Sequence, residues 1–432
     1  MIPVTKQIFP FLTLKTIYTD KFKTERISIT VENTPDARRL PIERFVFSVL
    51  KRGSANYPTQ RELNIKLDEL YSASIGSLYC RGGGNYKIGF TADMLSDDYI
   101  GEKIFDETIA LLFDIFWNPV LDENGDFLEK YVESERENIC DAIKAVINDP
   151  RRYAFKRFFE IMYEGDDYSI SSKGSLELVN SITKTELMEV YKDLVRNSSY
   201  EVFYIGSKSA DEVENTIVKY FKKYKYGKVK VARNKVDFAV ETKSVKRVTE
   251  EMKLSQGKLV MGFKSGVNIT CGGDFYALIM LNEIFGASPV SKLFMNVREK
   301  LGLCYYCSSR YDSNKGGIFV SSGIEKSDRE KTEKEILKQL DNIKKGKISD
   351  AEFTAAKRSL MNIYSETTDS AVAVERFYMA REEYSIGDTI EDAKRMVSEV
   401  TLDDVLRVAK NIKLDTVYFL QGKDGEEGDF DD

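Results

Sequence analysis

The stretch TKTELMEVYKDLVRNSSYEVFYIG, residues 183–206, decides how this chain is built. Thr183 followed three residues later by Glu186 is a capping box, in which a hydroxyl and a carboxylate satisfy the free N–H groups of a helix start. Leu187 and Val190 then recur at helical spacing, and Val202-Phe203-Tyr204-Ile205-Gly206 is a short apolar run that reads as a strand. The same order returns in TLDDVLRVAKNIKLDTVYFLQG, residues 401–422. There Thr401 and Asp404 form the box, Val405 and Val408 the apolar face, and Val417-Tyr418-Phe419-Leu420 the strand. Arg157-Phe158 precedes the first copy much as Arg376-Phe377 precedes the second. Gly53 and Gly83 stand 30 residues apart, as do Gly286 and Gly316, and each pair brackets a helix and then a strand. Several landmarks agreeing in order predict a duplicated α+β domain.

Working outward, Tyr86, Ile88, Phe90 and Ala92 alternate at period two, which predicts a half-buried strand. Ile100, Ile104, Thr108, Leu111 and Ile115 predict one helix, with Ser96 and Asp97 as cap candidates and Pro119 closing it. A longer helical pattern runs from about Phe127 to Ile147. Between the two copies, seven of the fourteen residues from Lys222 to Lys235 are basic, the composition of a solvated connector. The halves are therefore placed at 1–222 and 246–432, with a linker at 223–245. The acidic end, KDGEEGDFDD, is expected to fray.

Composition narrows the chemistry. The 432 residues are 42% apolar and 31% charged, with 12% aromatics, an ordinary soluble mix that folds. Sixty-four basic against 70 acidic residues leave a net charge of −6, so no basic field draws nucleic acid. The histidine count is zero, which removes Ser-His-Asp and Cys-His nucleophiles and every zinc site with an imidazole ligand. Five sparse cysteines fit free thiols in a reducing compartment. Cys304 and Cys307 form a C-x-x-C, but the stretch reads as a strand, where i and i+3 point to opposite faces. The N-terminus lacks the long apolar core and small-residue cleavage site of a signal peptide, and no apolar run reaches the ~20 residues that span a bilayer. A cytoplasmic protein is expected.

Three segments in order resemble the M16 family of zinc peptidases, which includes insulinase, pitrilysin and the mitochondrial processing peptidase. In RFVFSVLKRGSANYP, residues Arg52, Gly53, Tyr57 and Pro58 match the run that follows the family's H-x-x-E-H. Counting back from Gly53, Arg44 and Ser48 stand where the histidine ligands would be, and Phe47 where the glutamate base would be. In ESERENICDAIKAVINDP, residues Glu135, Arg136, Asp149 and Pro150 match, but the third-ligand position falls on Ala142. One step along a helix turns a side chain by ~100°, so Asp141 is a poor substitute. In SKLFMNVREKLGLCYYCSSRYD, Arg298 and Tyr305 match the family's second-domain R-E-x-x-G-L-x-Y.

The resemblance, over about residues 20–422, implies two domains in tandem, each a mostly antiparallel sheet with helices packed on one face. It implies that Arg298 and Tyr305 reach a substrate at a zinc. An arginine fork suits peptide oxygens, and a phenol suits a developing oxyanion. At this length the chain resembles the short, two-domain branch that works as subunit pairs, here of bacterial type. The expected function is a non-catalytic subunit of a heterodimeric zinc peptidase. An active homologue carrying H-x-x-E-H would hold the zinc, a peptide would be the substrate, and this chain would need no metal. A peptide-binding scaffold with no part in proteolysis is the alternative. A separate nucleophile, such as the Ser181-x-x-Lys184 pair, has weak support, because both residues flank a capped helix where they are common anyway.

Overall fold

The helix that starts at Thr183 runs Lys184–Asn197, and its copy after Thr401 runs Leu402–Asn411. Thr183 Oγ1 accepts from the Glu186 N–H at 3.2 Å, and Thr401 Oγ1 from the Asp404 N–H at 3.3 Å. Only the second box is reciprocal, with Thr401 N–H donating to Asp404 at 3.0 Å, because the Glu186 carboxylate instead takes a fork from Arg38. Each helix buries one stripe, Leu187, Tyr191 and Leu194 in the first and Val405, Val408 and Ala409 in the second. That burial, not propensity, is what holds such short helices.

The computed structural model describes residues 1–82, 84–224, 226–227, 238 and 244–423. Gly83, the core of the basic connector and the acidic end lie outside the described residues. The strands are β1 (Val4–Phe9), β2 (Leu12–Tyr18), β3 (Thr24–Asn33), β4 (Ser74–Gly82), β5 (Asn85–Leu95) and β6 (Tyr200–Gly206). The second half supplies β7 (Lys246–Met252), β8 (Gly257–Lys264), β9 (Tyr306–Tyr311), β10 (Gly317–Ile324) and β11 (Lys413–Gly422). Among the described residues they form two sheets, ordered β1-β2-β6-β3-β5-β4 and β7-β11-β8-β10-β9. Apart from the outer strand β1 the two orders correspond strand for strand. The single parallel pair also falls at the same place, β2 with β6 and β7 with β11. The duplication is thus one of topology.

Two local expectations need correction. Strand β5 is buried on both faces rather than half-buried. Tyr86, Ile88 and Phe90 enter the apolar core, while Lys87 on the opposite face is 1% exposed and donates to Glu201 at 2.9 and 3.0 Å. An ion pair made in a sheet interior leaves a polar letter in an alternating pattern, so it imitates a solvent face. The helix expected from Ile100 to Ile115 is broken. A short turn, Asp97–Ile100, ends at Gly101 with φ +77°, and Phe105–Trp117 forms a second helix. Asp97 accepts from the Ile104 and Phe105 N–H groups at 2.9 and 3.0 Å, so it caps the second helix across the break.

The chain divides into two compact units, each discontinuous in sequence. One comprises Met1–Lys144, Ile170–Lys235 and Ser370–Met379; the other comprises Ala145–Ser169, Val236–Asp369 and Ala380–Asp432. Each unit therefore takes a short segment from the other half of the sequence. In the first, Arg26 on β3 donates to Glu375 at 2.6 Å. In the second, helix Pro150–Met162 lies on β8 and β11, with Phe158 so close to Gly262 that a Cβ there would approach its ring to 2.5 Å. Arg157 on that helix donates to Glu250 of β7 at 2.8 Å. No helix among the described residues is long and apolar enough to cross a membrane.

Candidate functional site

Helix Arg39–Leu50 carries three of the four positions where the M16 motif places its metal chemistry. Phe47 is 2% exposed and sits in an aromatic cluster, its ring centroid 5.0 Å from Phe90 and 5.4 Å from Phe116. Arg44 lies with its guanidinium 4.7 Å over the Tyr79 ring, and burial pulls its pKa down. Ser48 Oγ donates to the Arg44 carbonyl at 3.2 Å, spending its hydroxyl on its own helix. Ala142 on helix Glu129–Lys144 offers only a methyl group. The one carboxylate of the first helix, Glu43, is fully buried. It accepts from Tyr86 at 2.7 Å, Arg39 at 2.7 Å and Asn33 at 3.1 Å, and burial raises its pKa despite those donors. No group of three or more His, Cys, Asp or Glu side chains converges among the described residues. A cation wants at least three converging donors. A guanidinium, a phenyl ring, a committed hydroxyl and a methyl do not fit zinc.

The motif residues that do match have structural work. Arg52 hydrogen-bonds Glu135 and donates to Ser134 at 2.9 Å, pinning the two motif helices together. Gly53 has no room for a side chain, since a Cβ would lie 2.7 Å from the carbonyl oxygens of Tyr57 and Pro58. Arg136 donates to the carbonyls of Val179 and Ile182, the latter at 2.9 Å. Asp149 caps helix Pro150–Met162 by accepting from the Arg152 N–H at 2.9 Å, with Pro150 in the first helical turn. These residues keep the scaffold whether or not a metal is held.

Arg298 lies on the wide, π-type helical segment Leu293–Lys300, its guanidinium 4.8 Å over the Phe294 ring and 3.6 Å from Glu299. Tyr305 precedes β9, held by its N–H donating to the Gly323 carbonyl at 3.0 Å, and its side chain is 72% exposed. A phenol that exposed is no core strand residue, and it is free to meet a ligand. Because β9 begins only at Tyr306, strand alternation does not govern Cys304. The expectation that Cys304 and Cys307 face apart does not hold, since the two thiols are near enough to shift each other's titration. Cys307 holds Cys304 below the ordinary thiol range, and Cys304, together with burial, pushes Cys307 well above it. The other sequence candidate does not assemble. Ser181 donates to the Leu178 carbonyl at 2.8 Å, and Lys184 donates to Asp122 at 2.8 Å.

Sequence reasoning did not single out Arg151 and Arg310, which line a cavity of about 470 Å³ in the second unit. The only trace of it in the sequence is the alternation Tyr306-x-Ser308-x-Arg310, and nothing local ties that to residue 151.

The profile described as Peptidase M16 inactive domain matches residues 181–360. YmfF of Bacillus subtilis (strain 168), described as a probable inactive metalloprotease, is 30% identical over 416 residues, covering 96% of this chain and 96% of its own. The mitochondrial-processing peptidase subunit beta of Saccharomyces cerevisiae is 23% identical, over 73% of this chain and 69% of its own. Among solved structures, a conserved protein from Enterococcus faecalis V583 matches with a TM-score of 0.89 at 26% identity, over 98% of this chain and 99% of that one.

Proposed function

The chain belongs to the M16 peptidase family, and from that premise we propose that it is a non-catalytic subunit of a heterodimeric zinc peptidase. The partner would carry H-x-x-E-H and the metal, and this chain would contribute Arg298 and Tyr305 to peptide binding. The observation that carries the reading is a contrast within one chain. The metal positions offer no zinc ligand, with Phe47 and Arg44 packed on rings, Ser48 bonded to its own helix and Ala142 a bare methyl, while Tyr305 stands out at 72% exposure beside a motif that is otherwise intact. A scaffold has no need of an exposed phenol there. One relative is by its own description a subunit of a processing peptidase, which supports a paired assembly. Five free cysteines suit a complex in the reducing bacterial cytoplasm.

The test is co-expression with an H-x-x-E-H homologue from the same genome, followed by kinetics on the purified pair. A single 1:1 species on a sizing column is expected. In that pair Tyr305→Phe should lower turnover by about 10²–10³, the usual cost of one oxyanion donor, with an unchanged melting temperature. Arg298→Lys keeps the charge and loses the fork, so it should act chiefly on KM. Unchanged turnover in an intact pair would reduce the chain to the scaffold alternative.

A further inference from the structure

Uncompensated positive charge gathers at the outer edge of the second sheet. Strand β9 pairs with β10 and has no other strand beside it among the described residues. Tyr306, Ser308 and Arg310 alternate along one of its faces, opposite Gly323, Ser321 and Phe319 of β10. Helix Pro150–Met162 lies against this face, and between them is the cavity of about 470 Å³. Its wall carries Arg151, Arg152, Lys156 and Arg310 against the single carboxylate of Asp149, which already caps the helix. Lys156 reaches Glu160 at 3.7 Å, but among the described residues none of the three arginines makes an ion pair. One turn further along the same helix, Arg157 is fully paired with Glu250 and Glu160.

Two of these guanidiniums are held in place by rings. Arg310 lies 3.5 Å over Phe155, and Arg151 lies 4.2 Å over Tyr306. A stacked guanidinium is fixed in orientation while its N–H groups, which project in the plane, remain free to donate. Burial, and then the like charge of Arg151, pull the Arg310 pKa below the ordinary arginine range, by more than the Asp312 carboxylate raises it. The serine hydroxyls of Ser308 and Ser321 stand in the same wall and add neutral donors.

We infer that this cavity is a carboxylate-recognition pocket, and that it takes the acidic side chains of an extended peptide lying along the free edge of β9. A strand added to an edge gains main-chain hydrogen bonds, and its alternate side chains fall on one face, here the face with the arginines. The inference deepens the proposed function by giving the peptide-binding subunit a substrate class, acidic peptides, through a pocket separate from Arg298 and Tyr305, and it rests on that reading for its biological use.

The binding itself needs no partner and is measured on the full chain alone. Fluorescein-labelled decapeptides alternating Val with Glu, Gln or Lys are titrated by anisotropy at low and high salt. The Glu peptide should bind roughly ten-fold or more tighter than the Gln peptide, the scale of charge-assisted hydrogen bonds, and should lose that advantage as salt rises. Arg151→Gln with Arg310→Gln should bring the Glu peptide to the Gln level at an unchanged melting temperature, and Arg151→Glu with Arg310→Glu should turn the preference to the Lys peptide. Equal binding of the Glu and Gln peptides, or a preference that survives both double variants, overturns the pocket. Inorganic phosphate binding as tightly as the Glu peptide would overturn its assignment to peptides. An acidic preference with no heterodimer would leave the pocket standing and remove the subunit reading. A working heterodimer indifferent to acidic residues would do the reverse.

Discussion

Phe47→Glu writes the family's catalytic glutamate back into its place, and the structure sets what that costs. The ring is 2% exposed and sits against Phe90 and Phe116 at 5.0 and 5.4 Å. Removing a buried phenylalanine costs about 3–5 kcal/mol through lost transfer energy and the cavity left behind. The new carboxyl would have to enter neutral with an unsatisfied polar group, a further ~1–3 kcal/mol. A loss of roughly 5 kcal/mol is a large share of the ~5–15 kcal/mol that holds a domain. At ~2–4 °C per kcal/mol for a unit of this size, the melting transition of the first unit should fall by about 10–20 °C. Phe47→Leu, which stays apolar, should lose only ~1–2 kcal/mol. Arg44→His and Ser48→His, at half-buried positions, should each cost little. The assay is differential scanning calorimetry of the full chain, with zinc measured by mass spectrometry on dialysed protein. If the combined variant R44H, F47E, S48H and A142E melts like the wild type and binds one zinc, the site is a lightly edited metal centre and the reading of a rebuilt core is wrong.

Glu375→Ala should destabilise the first unit by about 1–3 kcal/mol, because it removes the buried carboxylate from Arg26 and leaves Asp93 as the remaining partner; urea unfolding of the two variants E375A and E375Q measures it. The hydrogen bond from Arg157 holds the Glu250 carboxyl below its ordinary range. Its stabilisation is therefore present above the ordinary glutamate pKa and lost as pH falls through the lowered folded value, so Glu250→Gln should cost roughly 1 kcal/mol at pH 7 and converge with the wild type near pH 3 in thermal melts. Diamide should join Cys304 to Cys307 within one chain, since the two thiols are near enough to shift each other's titration, and peptide mapping should find that bridge and lose it in Cys304→Ser.

The sequence by itself determined whatever depends on neighbours along the chain and on residue chemistry. Capping boxes at Thr183 and Thr401, and the apolar runs after them, act within a turn or two, so the duplicated α+β unit was legible before any contact was known. The lack of histidine, and of any imidazole or carboxylate donor at residues 44, 47, 48 and 142, likewise needs no coordinates to speak against a zinc site. The tertiary structure decided what depends on distant partners. Lys87 looks solvent-facing until Glu201 meets it inside the sheet, and Asp97 reads as the cap of one helix until Gly101 breaks the helix and the carboxylate turns to the next. Cys304 and Cys307 meet because β9 starts two residues later than the aromatic run suggests. Arg151 and Arg310 stand 159 positions apart in sequence and share a cavity only because the segment Ala145–Ser169 packs into the second unit. Local periodicity carries no record of such pairings, because the free energy that selects them comes from burial between elements that the chain brings together only on folding.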